Sequence, residues 1–156
     1  MATSEGSSSD GSVRILIVDD FGPFREALCS FFLDYETITV VGEAADGEEA
    51  IQMALRLVPH VIIMDVKLPR TSGIQATQRI KEALPDIHVI GISTQNDAFL
   101  KASMEAVGCS TFVTRDRTHT LPHVITKIVV SLSEQTKEIK GEKIIRQAMR
   151  CRGGYF

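Results

Sequence analysis

The sequence contains no tryptophan, only two tyrosines and three cysteines. The cysteines, Cys29, Cys109 and Cys151, are odd in number and far apart, so they indicate neither a disulfide framework nor a metal-ligand pattern. No apolar run approaches the ~18 residues that a membrane span needs, and no basic segment precedes an apolar one at the start. We therefore expect no membrane span, no secretory signal and a reduced, cytoplasmic location.

The chain also lacks an excess of basic charge, since 17 basic residues face 20 acidic ones. Its 156 residues fit one domain, and 44% hydrophobic residues with 24% charged residues are typical of a folded protein rather than a disordered one. The charge is uneven, because residues 134–152 are rich in lysine and arginine while the remainder is acidic. Nothing in this balance favours nucleic acid as a general partner.

Short apolar runs alternate with segments of helical periodicity through most of the chain. Strands are predicted at residues 13–18, 38–44, 61–64, 87–92 and 111–114. Helices are predicted between Phe24 and Phe32 and at residues 46–56, 73–83, 98–107 and 121–132. This strict alternation predicts an α/β fold, with a five-stranded parallel sheet that is doubly wound by helices on both faces.

Polar residues stand where four of the predicted strands end. Asp19 and Asp20 follow the first strand and Asp65 ends the third. Ser93 ends the fourth strand, and Arg115 follows the fifth. Ligands of an open parallel sheet bind at the carboxyl ends of its strands, so we expect three carboxylates, a hydroxyl and a cation at one edge.

Such a cluster favours a magnesium-dependent phosphoryl site. Crowded carboxylates repel one another, and a divalent cation relieves that repulsion. Oxygen ligands without histidine or cysteine nearby in the sequence favour Mg²⁺, which commonly keeps a phosphate oxygen as a further ligand. An aspartate can be the nucleophile that forms an aspartyl phosphate. Ser93 and Arg115 would then bind the phosphoryl oxygens from the other side.

Each of these residues also has an ordinary structural interpretation. The pair Asp19 and Asp20 can cap a helix, and Asp65 can be a turn residue. Ser93 can equally cap a helix, and Arg115 can be a solvated surface charge. The convergence of all these residues at one edge favours the functional interpretation.

Four segments resemble a known family: ILIVDD (15–20), IIMDVKLPRTSG (62–73), IGIST (90–94) and VGCSTFVTRD (107–116). They resemble the receiver domain of two-component response regulators over roughly residues 13–133. AADGEEAIQMA (44–54) is similar in particular to receivers that precede LuxR-type DNA-binding domains, the NarL/FixJ class. The resemblance implies a chemotaxis-type, flavodoxin-like (βα)5 fold with strand order 2-1-3-4-5.

The resemblance also implies a role for each matching residue. Asp65 matches the phosphoacceptor, and Pro69 and Gly73 follow it at the family's usual offsets. The Mg²⁺ ligands implied are Asp65, Asp19, Asp20 and the backbone carbonyl of Lys67. Ser93 matches the hydroxyl residue that moves toward the phosphoryl group. Phe112 matches the aromatic rotamer switch, for which a plain core phenylalanine is the alternative.

The function implied is a phosphorylation-dependent signalling switch. A histidine kinase or histidine phosphotransfer protein would donate the phosphoryl group, and self-catalysed hydrolysis would remove it. The signal would pass through the face formed by the fourth helix, fifth strand and fifth helix, which binds a downstream protein or a second subunit in many receivers. We expect no separate enzymatic activity, no direct DNA binding and no membrane partner.

One residue departs from the family, because Arg115 stands where receivers have an almost invariant lysine. Arginine keeps the charge but is larger and planar, so the lifetime of the phosphorylated form or its coupling to the switch face can differ. An alternative is a receiver-like binding module that works without phosphorylation. A magnesium-dependent phosphatase is disfavoured, because Asp19-Asp20-Phe21 lacks the Asp-x-Asp motif of that class.

The predicted organisation has three parts. Residues 1–12 are a flexible Ser/Gly-rich leader, residues 13–133 the receiver domain, and residues 134–156 a basic C-terminal extension. For the extension a solvated helix is favoured over a partner-docking segment, and nucleic-acid contact is disfavoured because interleaved aromatics are lacking. The 24 residues after Leu132 are too few for a LuxR-type DNA-binding domain. The chain is therefore either a stand-alone receiver or a fragment of a longer regulator.

Overall fold

In the computed structural model, strands and helices alternate along the chain, and the structure describes residues 11–131, 133, 134 and 138. The strands are β1 (Val13–Val18), β2 (Ile38–Ala44), β3 (Val61–Asp65), β4 (His88–Ser93) and β5 (Thr111–Thr114). The helices are α1 (Gly22–Phe32), α2 (Gly47–Leu57), α3 (Gly73–Ala83) and α4 (Ala98–Ala106). A 3₁₀ helix, Arg115–Thr120, follows β5, and residues 121–131 are helical.

All strands pair in parallel in the order β2-β1-β3-β4-β5, which confirms the predicted fold class and strand order. The inner strands are buried on both faces. Leu16 and Val18 belong to a core cluster with residues of α2 and α3, while Ile15 and Ile17 point to the opposite face and are equally buried. This double burial explains why residues 15–18 of β1 and 61–64 of β3 are continuous apolar runs rather than alternating ones.

The helix boundaries differ from the predicted ones where a residue caps the helix instead of joining it. The side chain of Asp46, predicted to be helical, accepts a hydrogen bond from the backbone N–H of Glu49 at 2.8 Å, so α2 begins at Gly47. α4 ends at Ala106 rather than at residue 107, because Val107 leaves the helical conformation. Gly108 then closes the turn with a φ of +100°, a conformation that favours glycine.

Gly73 brings α3 close to the end of β3. A Cβ atom at this position would overlap the backbone carbonyl oxygen of Asp65, so only glycine permits this approach. Ser72 caps the same helix in a reciprocal capping box with Gln75. These contacts fix the backbone around Asp65.

The predicted leader (1–12) and basic extension (134–156) fall almost entirely outside the described residues, and the domain boundaries stay predictions. In the described part of the chain, no helix is long and apolar enough to cross a membrane. Cys29 and Cys109 are free thiols, and Cys151 lies outside the described residues.

Candidate functional site

The predicted site residues meet at the carboxyl edge of the sheet. Asp19 directly follows β1, Asp65 is the last residue of β3, Ser93 the last of β4, and Arg115 directly follows β5. Asp19, Asp65 and Ser93 are only 1%, 5% and 2% exposed, whereas Asp20 is exposed. Buried polar side chains at this density point to a site that binds something, because burying an uncompensated charge is costly.

Three carboxylates converge within this edge. Asp19, Asp20 and Asp65 each offer an oxygen within 4.8 Å of the others. The backbone N–H of Phe21 donates to Asp19 Oδ1 at 2.8 Å, and the backbone N–H of Lys67 donates to Asp65 Oδ1 at 3.1 Å. These hydrogen bonds hold the two buried carboxylates in place and leave their other oxygens facing the cluster.

The Arg115 guanidinium lies against the same carboxylates. Its Nη2 atom donates to Asp19 Oδ2 at 2.5 Å and to Asp65 Oδ2 at 3.2 Å. The guanidinium lies over the Phe24 ring, with Cζ 4.3 Å from the ring centroid. The Arg115 side chain is only 22% exposed, so its interpretation as a solvated surface charge is wrong.

Burial raises the pKa of the Asp65 carboxyl to about 7, with the neighbouring Asp19 charge as the second cause. The Lys67 backbone N–H and the Arg115 charge act in the opposite direction without cancelling the effect. Burial is also the main reason why the pKa of Asp19 lies above its ordinary value. One guanidinium facing three carboxylates leaves an excess of negative charge.

That excess, together with an all-oxygen donor set, fits Mg²⁺. The ion favours carboxylate and carbonyl oxygens, and its charge offsets the repulsion that raises the pKa of Asp65. Asp19, Asp20 and Asp65 are placed as predicted for its ligands. The role of the Lys67 backbone carbonyl as a further Mg²⁺ ligand stays a prediction.

Two structural alternatives for the site residues are wrong. The N-cap of α1 is Phe21, which has no side-chain capping bond, so neither Asp19 nor Asp20 caps that helix. The N-cap of α4 is Asp97, whose carboxylate accepts from two backbone N–H groups. The Ser93 hydroxyl instead accepts from the backbone N–H of Gln95 at 3.2 Å.

Phe112, in β5, lies at the margin of the core. Its ring is half-buried and packs against the core cluster. A Cβ atom on Gly91 would lie 3.0 Å from Phe112 Cδ2, so the absence of a side chain at Gly91 makes room for the ring. This position suits both the predicted switch and the plain core residue, and the switch role stays a prediction.

Sequence reasoning missed Phe24, which it placed only on the apolar face of a helix. The residue packs against a cation that follows β5, a contact that no local pattern encodes. The arginine at position 115 could have indicated an aromatic partner, because a guanidinium packs on aromatic rings more readily than an ammonium group does.

A family model for the response regulator receiver domain matches residues 15–126. The chain belongs to the response regulator receiver family. This confirms the resemblance, and with it a place in two-component signalling, in which receivers act as phosphorylation switches and bind Mg²⁺ at the acidic site.

Curated relatives of this receiver are longer proteins. Response regulator GacA of Pseudomonas protegens is 34% identical over 104 residues, which are 66% of this chain and 48% of GacA. Transcriptional regulatory protein LnrK of Bacillus subtilis is 32% identical over 67% of this chain and 47% of its own length. Protein-glutamate methylesterase/protein-glutamine glutaminase 4 of Myxococcus xanthus is 38% identical over 61% of this chain and 27% of its own. The chain thus spans about half, or less, of these relatives.

Solved receiver structures superpose along most of this receiver. The response regulator domain of Thermotoga maritima CheB has a TM-score of 0.69 at 29% identity, covering 78% of this chain and 97% of that one. A LuxR-family response regulator from Aurantimonas has a TM-score of 0.73 at 25% identity, covering 85% and 99%. A chain of the CheX-CheY-BeF3-Mg²⁺ complex from Borrelia burgdorferi has a TM-score of 0.67 at 28% identity, covering 73% and 87%.

Proposed function

We propose that this receiver accepts a phosphoryl group on Asp65 from the phosphohistidine of a kinase or phosphotransfer protein. A carboxylate oxygen of Asp65 forms the new bond to phosphorus as the phosphorus–nitrogen bond breaks, and the departing imidazole nitrogen takes up a proton. Attack of water on phosphorus later releases inorganic phosphate and restores the carboxylate. The observation that carries the proposal is the buried Asp65 carboxylate at the end of β3, in contact with Arg115 and beside Asp19.

The neighbouring residues receive roles that fit their positions. Asp19, Asp20, Asp65 and the Lys67 backbone carbonyl would hold Mg²⁺, which when bound supplies positive charge beside the phosphoryl oxygens. The Arg115 guanidinium, already 3.2 Å from Asp65, would donate hydrogen bonds to those oxygens.

Ser93 would donate to the phosphoryl group from the end of β4. Its hydroxyl is bonded only to a loop N–H among the described residues, so it is free to turn toward Asp65. Before transfer, the burial that raises the pKa of Asp65 also disfavours its charged form, and added positive charge restores the nucleophilic carboxylate.

The signal would leave the site through β4 and β5. Ser93 pairs with Thr114, and Gly91 pairs with Phe112, so a movement of Ser93 toward the phosphoryl group acts on the strand that carries Phe112. We propose that the ring of Phe112 then turns inward and remodels the face of α4 and β5. A downstream protein or a second copy of the chain would bind there.

We further propose that the receiver acts in the cytoplasm and has no catalytic activity beyond its own phosphotransfer and dephosphorylation. No direct contact with DNA belongs to this proposal. Any activity of a longer protein, such as those of the curated relatives, would come from segments beyond the receiver.

A phosphorylation-independent binding module is the second candidate, and one observation favours it. Arg115 is already paired with both Asp19 and Asp65. An internal cation therefore partly neutralises these carboxylates before Mg²⁺ or a phosphoryl group binds. In that case the receiver fold would present its partner face in a single state.

Incubation of the full chain with acetyl phosphate and Mg²⁺ tests the first proposal. We expect the mass to rise by one phosphoryl group, with the label on Asp65 and removed by hydroxylamine, and we expect no label on an Asp65→Asn variant. An unlabelled wild-type chain contradicts the proposal. Amide NMR with beryllofluoride and Mg²⁺ separates the two candidates, because only the switch shifts the signals of Ser93 and Phe112.

A further inference from the structure

The Arg115 guanidinium has an aromatic partner in α1. Phe24, in the first turn of this helix, places its half-buried ring beside the guanidinium, with the ring centroid 4.3 Å from Arg115 Cζ. Both residues lie at the carboxyl edge of the sheet, and Phe24 is close in sequence to Asp19. The ring is thus part of the wall of the site.

The contacts of Arg115 differ in how they respond to phosphorylation. The Asp65 carboxylate becomes an acyl phosphate, and Asp19 is a proposed ligand of Mg²⁺, so both ion pairs change when the site is loaded. The Phe24 ring is uncharged and takes no part in phosphotransfer. Its contact with the guanidinium therefore does not depend on the charge of either carboxylate.

Orientation of the guanidinium depends strongly on that ring. Arg115 Nε is buried and has no hydrogen-bond partner among the described residues, so no bond at this atom fixes the guanidinium plane. Nη2 makes both carboxylate bonds, and a single nitrogen leaves the plane free to rotate about it. The Phe24 ring restricts that freedom, because a guanidinium that turns away from the ring loses the cation–π contact.

We propose that Phe24 is a positioning residue, which holds the Arg115 guanidinium beside Asp65 so that its N–H groups meet the phosphoryl oxygens. The inference rests on the proposed function, since it assumes that Asp65 carries the phosphoryl group. Phe24 and Arg115 together then do what the lysine does in other receivers. The planar cation needs the ring, whereas an ammonium group has no plane to orient.

Binding of beryllofluoride with Mg²⁺ tests the inference, because this group takes the place of the phosphoryl group on the carboxylate. Phe24→Leu keeps an apolar side chain and removes the ring face, so we expect the beryllofluoride affinity to fall about 3- to 10-fold. The affinity for Mg²⁺ alone should change less, because the ring carries no ligand atom and the carboxylates of Asp19, Asp20 and Asp65 are retained. Phe24→Tyr, which retains the ring, should bind as the wild type does.

Phe31→Leu is the matched control, since it removes a ring from the same helix that packs against Phe32 and Tyr35 rather than Arg115. This variant should bind beryllofluoride as the wild type does. In an Arg115→Ala background, Phe24→Leu should cause no further loss. A purely structural role would instead lower the affinity in both backgrounds. Phe24→Met serves as the second variant if Phe24→Leu does not fold.

The outcomes separate this inference from the proposed function. If the wild type binds no beryllofluoride in the presence of Mg²⁺, the proposed function fails and the inference fails with it. If the wild type binds and Phe24→Leu binds equally well, only the inference is overturned. A loss of affinity that persists without Arg115 would overturn the inference alone as well.

Discussion

Nη2 of Arg115 lies 3.2 Å from Oδ2 of Asp65, the proposed phosphoacceptor. A cation that follows β5 is therefore already in contact with the carboxylate that ends β3, before any phosphoryl group arrives. One donor for the phosphoryl oxygens is therefore in place beforehand, although the site as a whole carries excess negative charge until Mg²⁺ binds. The length of arginine suits this contact, so the departure from the family's lysine preserves the cation at the site.

Arg115→Ala should slow phosphorylation of Asp65 by acetyl phosphate about 10- to 100-fold, because it removes a donor aimed at the developing phosphoryl charge. Arg115→Lys should remain phosphorylatable, since a cation stays within reach. The labelling rate, followed by intact mass, measures both effects. Arg117→Ala, in the same 3₁₀ helix and outside the site, is the control. Equal labelling rates for Arg115→Ala and the wild type would remove Arg115 from the reaction.

The Asp65 carboxyl should make the metal-free chain less stable as the pH rises. Its pKa is about 7 in the folded chain, against an ordinary value of 3.8, so the folded state holds the proton more tightly than the unfolded state does. The free energy of unfolding therefore falls as the pH rises from about 4 to about 7. Asp65→Asn removes this loss and should be more stable than the wild type by roughly 2 kcal/mol at about pH 8.

Urea unfolding in EDTA at about pH 5 and about pH 8 measures the effect. The gain from Asp65→Asn should be smaller at the lower pH, where the wild-type carboxyl is largely protonated. Asp86→Asn changes an exposed aspartate and should alter stability little at either pH. A gain from Asp65→Asn that does not grow between the two pH values would contradict the prediction.

Much of this site is predictable from the sequence, because the ends of the strands can be predicted from it. The apolar runs of β1 and β3 stop at Asp19 and Asp65, which belong to the site. Parallel strands bring such ends to one edge of the sheet. The pairing of Arg115 with two carboxylates and with Phe24 is not predictable in this way. It depends on side-chain directions and on the path of the chain after β5, which no local periodicity specifies. The start of α2 was mispredicted at Asp46 for a related reason, because a capping residue and a first helical residue look alike in sequence.

Mg²⁺ should stabilise the wild-type chain by binding only the folded state. Asp20 is the exposed member of the carboxylate cluster, so Asp20→Asn should weaken this stabilisation with little effect on the metal-free chain. The change in melting temperature across a Mg²⁺ titration reports the difference. Asp34→Asn, an exposed aspartate outside the cluster, should respond to Mg²⁺ as the wild type does. Equal responses of Asp20→Asn and the wild type would exclude Asp20 as a ligand.

Gly91→Ala should disturb the Phe112 ring while leaving the phosphoacceptor in place. The added methyl group would lie 3.0 Å from Phe112 Cδ2 and 3.1 Å from Met104 Cε, which is tight for both. Both contacts are with atoms at the ends of side chains rather than with backbone, so the ring can move away at a cost of about 1–2 kcal/mol. We expect shifted aromatic NMR signals of Phe112 and a weaker response of that ring to beryllofluoride, with unchanged labelling of Asp65.

Gly73→Ala provides the contrast to Gly91→Ala, because its Cβ would overlap the backbone of Asp65 and Val66, which cannot yield as a side-chain end does. That variant should lose several-fold more stability, about 3 kcal/mol or more, and should impair labelling of Asp65 itself. If Gly91→Ala abolished labelling as well, the ring and the phosphoacceptor would form one inseparable unit. If it left the Phe112 response to beryllofluoride intact, the ring would be a plain core residue, and the switch role would have to be assigned elsewhere.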